Sequence, residues 1–289
     1  MTPNTSTDNT KKHTHKAVSP DGTEIVGHVQ GEGPPLVLLP AGPGNSEVSW
    51  RHIVPYLSRE FTCYLLNTRG RGQSSDTPDH SPERLTEDIV AFAESIGEPV
   101  GLAGWGSVQW THVAAEHPEV VSAVAAYEPA ANEVRSDEDQ ALFQAVLTRM
   151  GELAAENRLE AAAHTLVEAA SEAGLYTDED MVDGAAPDFW EASAENVPVL
   201  LQELRQEAEF ERPGPTDPSV LAKIHVPLFL LYGTRTSHWA TDAVHHISDH
   251  ASDPHVHEIE GAGHFGPWTH PEAVAGAFAE FFATAHAEA

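Results

Sequence analysis

Residues 99–119 read PVGLAGWGSVQWTHVAAEHPE: an apolar run, a glycine-rich turn and an amphipathic stretch that ends at a proline. A short run that is apolar on both faces is typical of a buried strand, and the spacing of apolar residues after the turn is typical of a helix. A strand that passes into a helix in this way is a unit of a parallel sheet covered by helices. We therefore expect residues 99–104 to form a central strand of an α/β fold.

Further apolar runs occur on both sides of this unit. They are PPLVLLPAGPGN at 34–45, FTCYLLN at 61–67, VVSAVAAYEP at 120–129, VPLFLLYG at 226–233 and HVHEIEG at 255–261. Helical patterns separate most of them, and an alternating segment at 16–30 with a turn at Asp21-Gly22 predicts a β-hairpin before the first run. This alternation predicts a mostly parallel sheet with helices on both faces.

The alternation is interrupted between residues 131 and 224, where only helical patterns such as EDQALFQAVLTRMGELAAE at 138–156 occur. We therefore predict a core made of residues 16–130 and 225–289, a helical cap at 131–224 and a disordered leader at 1–15. Ligands of open α/β sheets bind beyond the carboxyl ends of the strands, so a cap inserted there would enclose the binding site.

The composition restricts the choice of partners and cofactors. The chain has 15 Lys and Arg against 45 Asp and Glu, a formal charge of −30, which repels nucleic acid and anionic membranes. Cys63 is the only cysteine, no HExxH motif occurs, and no run has the length of a membrane span. We therefore expect a cytoplasmic protein that acts on a small molecule without a metal or other cofactor.

Three motifs carry a family resemblance. In chain order, LLPAGPGN at 38–45, NTRGRGQS at 67–74 and GAGHFGPWTHPEAV at 261–274 resemble the oxyanion loop, the RGxG turn and the late histidine loop of the α/β-hydrolase superfamily. The resemblance extends over nearly the whole chain from about residue 16. It implies an α/β-hydrolase fold with an inserted cap, and an enzyme with a triad-like catalytic centre.

The glycine-rich turn LAGWGS at 102–107 is similar to the nucleophile turn of haloalkane dehalogenases and epoxide hydrolases. Aligning Trp-Gly-Ser without a gap puts Gly104 at the nucleophile position, and an alignment two residues later would put Gly106 there. Neither glycine has a side chain that can form a covalent intermediate. Ser107 is an alternative nucleophile, but its place in the first helical turn favours capping or packing.

The resemblance also implies a general base and an acid. His264, in Gly-Ala-Gly-His, corresponds to the base histidine that follows the last strand. The usual acid after the preceding strand is absent, because residues 233–236 read Gly-Thr-Arg-Thr. Some dehalogenases carry a glutamate at the end of the strand after the nucleophile helix instead, and this similarity places the acid on Glu128. A carboxylate there would orient the imidazole and stabilise its charged form.

Backbone groups and cap residues complete the predicted site. The N–H groups of Trp105 and of Ala41 or Gly42 are expected to form an oxyanion hole, since such a hole needs no particular side chain. The aromatic residues of the predicted cap are Phe143, Tyr176, Phe189 and Trp190. By family analogy, this composition predicts a small to medium, apolar substrate of an aromatic or polyketide-like kind.

Three functions are compatible with these motifs. The first is cofactor-independent general base catalysis by His264 and Glu128 without a covalent nucleophile, acting on water or removing a proton in an elimination, cyclisation, decarboxylation or oxygenation. The second is a conventional ester or epoxide hydrolase that uses Ser107 or another nucleophile. The third is a non-catalytic binding protein of the same fold.

Overall fold

A computed structural model describes residues 13–170 and 187–288. Within them, eight strands form one sheet in the order β1-β2-β4-β3-β5-β6-β7-β8. The strands are β1 His13–Val18, β2 Glu24–Gln30, β3 Pro35–Leu38, β4 Thr62–Asn67, β5 Val100–Trp105, β6 Val121–Tyr127, β7 Leu228–Gly233 and β8 His255–Ile259. Strand β2 is antiparallel to β1 and β4, and the pairs from β4 to β8 are parallel. The prediction of a mostly parallel sheet is confirmed.

Helices cover both faces of the sheet. They are α1 Ser46–Ser49, α2 Val54–Leu57, α3 Pro82–Ile96, α4 Trp110–Glu116, α5 Asp137–Ala155, α6 Leu159–Ala170, α7 Pro187–Ala208, α8 Pro218–Leu221, α9 His238–His250, α10 Gly266–Thr269 and α11 Pro271–Glu288. Alternate residues along and just after β3 belong to two separate buried clusters, Leu36 and Leu38 to one and Val37 and Leu39 to the other. Because successive strand residues point to opposite faces, both faces of the sheet are buried.

The amino-terminal hairpin begins earlier than the sequence suggested. Strand β1 pairs with β2 from His13↔Val29 to Val18↔Glu24, and Gly22 in the turn has a φ of 92°. The predicted disordered leader at 1–15 is therefore wrong at its end, where residues 13–15 are paired. A ring contact adds to this pairing, since His15 lies edge-on to Phe92 with centroids 5.1 Å apart.

The RGxG turn after β4 connects the core to the cap through Arg71. Its Nη1 donates 2.8 Å hydrogen bonds to the carbonyl oxygens of Gly42 and Gly44, in the loop after β3. Its Nη2 pairs with Glu203 of α7 at 2.6 Å, and both side chains are almost completely buried. This arginine therefore fixes the predicted oxyanion loop and attaches a cap helix to it.

The described part of the predicted cap, residues 131–170 and 187–224, contains helices and no strand. Helices α5, α6 and α7 pack on one another through an apolar cluster of their own, which includes Met150, Ala163 and Val197. Their other faces remain available to contact the core and the loops at the carboxyl ends of the strands.

Candidate active site

His264 lies in the loop after β8 and is held there from several sides. Trp105 Nε1 donates a 2.8 Å hydrogen bond to the His264 carbonyl oxygen, and the Tyr127 hydroxyl donates one of 2.6 Å to that of Gly263. The Trp239 ring packs against the imidazole with centroids 5.2 Å apart. Because these contacts fix both backbone and ring, the imidazole has a defined orientation at the carboxyl edge of the sheet.

Glu128 follows β6 directly and is completely buried. Its Oε2 lies 2.9 Å from His264 Nδ1 and accepts a 2.8 Å hydrogen bond from Thr236 Oγ1, while its Oε1 accepts one of 2.9 Å from Gly233 N. The residue has a φ of 44°, an uncommon value for a residue other than glycine. The structure thus brings together the two residues that the sequence indicated as base and acid.

The nucleophile turn has a different register from the predicted one. Gly104 lies inside β5, paired with Ala126, and a Cβ built on it would meet Trp110 Cδ1 at 3.1 Å, away from the imidazole. Gly106 has a φ of 62°, and a Cβ there would lie 3.6 Å from His264 Nε2. The assignment of the nucleophile position to Gly104 is therefore wrong. The chain turns at Gly106. Its positive φ suits glycine, and a Cβ at this residue would face the His264 ring.

The same shift changes the candidate oxyanion groups. Trp105 ends β5 and precedes the turn residue Gly106, whereas the expected backbone donor is the N–H of the residue after the turn. The Trp105 indole N–H is bonded to the His264 carbonyl oxygen, and Ala41 N donates to Ser49 Oγ at 3.1 Å. In the described part of the chain, no acceptor is bonded to the N–H of Gly42 or of Ser107, and both residues line one cavity. Gly42 and Ser107 are therefore the better pair of oxyanion donors, and Trp105 instead supports the histidine loop.

The Ser107 side chain is directed along the chain and not to the base. Its Oγ accepts a long, 3.4 Å hydrogen bond from Gln109 N, and among the described residues no hydrogen bond joins it to His264. This contact agrees with a local role at the start of α4.

A cavity of about 320 Å³ lies beside Gly106, within the usual size range of small-molecule sites, roughly 300–1,000 Å³. Its lining includes Arg71, His112, Glu133, Arg135, Glu203 and Glu207. Apolar residues such as Leu85, Val108 and Leu200 line the same cavity, so the pocket is apolar in part, as predicted, but it also carries ionisable groups that were not predicted. These ionisable residues belong to the RGxG turn, to α4 and to the segments 133–135 and 203–207, none of which was predicted from the sequence to lie at the site.

The predicted aromatic pocket residues differ in where they lie. Trp190 stacks on His164 with centroids 3.6 Å apart, and Phe189 packs edge-on against Trp268 at 4.7 Å. Among the four aromatic cap residues, Phe143 lines the cavity, and Tyr176 lies outside the described residues. Trp190 is not among the residues that line this cavity, and its ring stacks on a side chain of α6.

The described residues also bear on metal ligation, membrane insertion and cysteine reactivity. Across 13–170 and 187–288, no three His, Cys, Asp or Glu side chains are grouped so as to hold a metal ion. Over those ranges, no helix combines the length and the apolar character needed to cross a membrane. Cys63 is completely buried, and burial raises the pKa of its thiol to about 12, which disfavours the nucleophilic thiolate form.

The comparison with known families agrees with this architecture. Residues 34–271 match the family model described as alpha/beta hydrolase fold. The chain belongs to this family and is an enzyme of the hydrolase type.

Individual relatives are distant. The 2-hydroxy-6-oxo-6-(2'-aminophenyl)hexa-2,4-dienoic acid hydrolase of Metapseudomonas resinovorans is 23% identical over 281 residues, 93% of this chain and 91% of that protein. A pyrrolizixenacetamide deacetylase of Xenorhabdus hominickii is 32% identical over 97 residues, which span 32% of this chain and 36% of the deacetylase.

Solved structures show the same fold at low identity. An esterase from Rhodococcus sp. ECU1013 superposes with a TM-score of 0.74 at 21% identity, covering 93% of this chain and 98% of the esterase. A haloalkane dehalogenase from Bradyrhizobium elkani gives a TM-score of 0.69 at 19% identity, covering 96% and 99%. At these identities the likeness concerns the fold.

Proposed function

We propose that this enzyme hydrolyses a small molecule by general base catalysis, without a covalent bond between protein and substrate. His264 is the base, and Glu128 orients it. One observation carries the proposal: the residue that faces the base at the turn is Gly106, whose missing Cβ would lie 3.6 Å from His264 Nε2. A glycine leaves space there for a water molecule within reach of the imidazole and offers no atom for a covalent intermediate.

The proposed reaction has the following steps. Glu128 accepts the Nδ1–H of His264, so Nε2 is the unprotonated nitrogen and takes a proton from water as the water oxygen attacks a carbonyl carbon. The N–H groups of Gly42 and Ser107 stabilise the negative oxygen. The bond to the leaving group then breaks, and His264 returns the proton to that group. Every step uses groups of the chain and water, so the mechanism needs no metal or cofactor.

The test is covalent labelling by a fluorophosphonate probe, which reacts with activated serine hydroxyls. The wild-type protein is expected to stay unlabelled, while Gly106→Ser is labelled, because its Oγ would extend from a Cβ already close to His264 Nε2. Gly104→Ser is the matched control and is expected to stay unlabelled, since its Cβ faces Trp110.

Two further variants separate the alternatives. Labelling of Gly106→Ser should disappear when His264→Ala is added, and turnover of esters and amides by the wild type should fall at least about a hundredfold in His264→Ala alone. Labelling of the wild type at Ser107 would establish the conventional covalent mechanism and overturn the proposal. Equal turnover in His264→Ala would remove the base from the reaction.

A further inference from the structure

Arg135 is a half-buried cation that forms no close ion pair with another described residue. It lies between the end of the sheet core and α5, and its guanidinium carbon is 3.7 Å from the centre of the Phe143 ring. Its Nη1 is buried and has no hydrogen-bond partner among the described residues. In the same residues, no carboxylate oxygen lies within 4.0 Å of the guanidinium. A buried donor without an acceptor is costly, and a charged donor costs more than a neutral one.

Arg135 and Gly106 line the same cavity. We propose that this cavity binds a substrate that carries a carboxylate, and that the carboxylate pairs with Arg135. This proposal rests on the proposed function, because that function identifies the cavity as the substrate site. A carboxylate would supply the missing acceptor, because its two oxygens match the fork of N–H groups of a guanidinium.

Among the described residues, Glu207 and Asp139 act on the Arg135 charge, since both oppose the lowering of its pKa by burial, but neither forms a close ion pair with it. Arg71, the other arginine of the cavity, is already occupied by Glu203 and by the carbonyl oxygens of Gly42 and Gly44. Burial, together with the charges of Glu133 and Glu203, raises the pKa of Glu207, although the charge of Arg135 opposes this shift. Glu207 is therefore ionised less readily than an ordinary glutamate and opposes an incoming carboxylate less than an ordinary glutamate would.

A second polar atom indicates what else the substrate carries. Gln109 Oε1 is buried and has no hydrogen-bond partner among the described residues, and Gln109 lines the cavity. The atom is an acceptor, so it requires an N–H or O–H group. Gln109 is three residues beyond Gly106 in the sequence. We therefore expect an acid that also has an amide or hydroxyl donor near the reacting group.

The test is binding, measured by calorimetry with matched pairs of probes: acetate and acetamide, phenylacetate and phenylacetamide, N-benzoylglycine and N-benzoylglycinamide. At least one acid is expected to bind the wild type about tenfold or more tightly than its amide, which corresponds to about 1.4 kcal/mol. Working at about 0.15 M ionic strength limits long-range repulsion by the acidic surface, because the Debye length is then about 8 Å.

Arg135→Met is expected to abolish this preference for the acid, and Arg135→Gln provides a second variant if the first does not fold. Arg149→Met is the matched control, because Arg149 is half exposed on α5 and pairs with Glu152. It should keep the preference. His264→Ala should also keep it, so binding and turnover can fail independently. The proposal is wrong if no acid is preferred over its amide, or if Arg149→Met loses as much preference as Arg135→Met.

Discussion

Thr236 Oγ1 donates a 2.8 Å hydrogen bond to Glu128 Oε2, the oxygen that also faces His264. Thr236 ends the Gly-Thr-Arg-Thr segment, at the position where the family resemblance leads one to expect the catalytic aspartate. The loop after β7 therefore supplies a donor where a carboxylate was expected, and the carboxylate comes from the end of β6. Thr236, Glu128 and His264 therefore form one connected hydrogen-bond network.

The first prediction concerns the charge of Glu128. Glu128→Gln keeps the shape of the side chain but removes the negative charge that would stabilise a protonated His264. We expect kcat to fall by about 10²–10⁴-fold, the range usual for general acid–base groups, with little change in KM. The measurement is steady-state hydrolysis of the best ester or amide substrate, together with circular dichroism.

Thr236→Val serves as the graded comparison for this variant. It removes one of the hydrogen bonds to the carboxylate and keeps the charge, so kcat should fall by about tenfold, less than in Glu128→Gln. A Glu128→Gln enzyme that is folded and as active as the wild type would exclude Glu128 from the catalytic centre.

The second prediction concerns the close approach of two loops at Gly233. A Cβ on this residue would lie 2.1 Å from the backbone oxygen of Ala262, two residues before His264. Because the neighbour is backbone, Gly233→Ala has to displace the histidine loop. We expect a loss of about 1–3 kcal/mol in the free energy of unfolding and a clear decrease in kcat.

Gly276→Ala is the control for this substitution. Gly276 is an exposed residue of α11, and no atom lies within 4 Å of the position that an added Cβ would take. Alanine there should stabilise the helix by about 0.5–1 kcal/mol and leave kcat unchanged. If denaturant unfolding and kinetics show the same response in both variants, the close packing at Gly233 has no special role.

The fold and the candidate base and acid could be predicted from the sequence, because each is marked by the chemical type of particular side chains. The buried runs determined the sheet, and His264 and Glu128 stand in motifs whose chemistry is recognisable. The residue at which the nucleophile turn occurs could not be predicted from residue types. Gly104 and Gly106 both lack a side chain, so no residue type marked the turn, and the backbone φ of Gly106 decides the question.

The cavity was harder to predict for a different reason. Its charged lining is assembled from segments far apart in the chain, such as Arg71, Arg135 and Glu207. A helical pattern shows that a helix has an apolar face, but it does not show which neighbour that face covers. Trp190 was therefore expected in the pocket, although its ring stacks on His164.

The third prediction concerns Ser107. If the serine contributes its backbone N–H and not its hydroxyl, Ser107→Ala should keep kcat within about threefold of the wild-type value. The variant loses only the long contact with Gln109 N, so unfolding should become easier by about 1 kcal/mol or less. The measurement is again steady-state kinetics. A folded Ser107→Ala protein with a hundredfold lower kcat would place the hydroxyl in the reaction.

The last prediction concerns stability in acid and rests on Asp21 in the hairpin turn. Arg69 is completely buried, and its Nη1 donates a 2.8 Å hydrogen bond to Asp21 Oδ2. Burial disfavours the carboxylate, but hydrogen bonds from Thr23 and Arg69 and the charge of Arg69 outweigh it and lower the pKa of Asp21 to about 2 from the ordinary 3.8. The folded protein therefore binds a proton at Asp21 less readily than the unfolded chain does.

The sign of the pH dependence follows from this difference. The stabilisation by Asp21 is complete above pH 3.8, the ordinary pKa, and is lost as the pH falls to about 2. When urea unfolding is measured at several pH values in that interval, the free energy of unfolding should fall more steeply with decreasing pH in the wild type than in Asp21→Asn. The difference between the two slopes should approach the value that corresponds to one bound proton. Asp253→Asn is the control, because Asp253 is exposed and has no ion pair among the described residues. Equal slopes in the wild type and Asp21→Asn would show that Asp21 does not contribute to acid stability, since titration of the many other carboxylates is common to all three proteins.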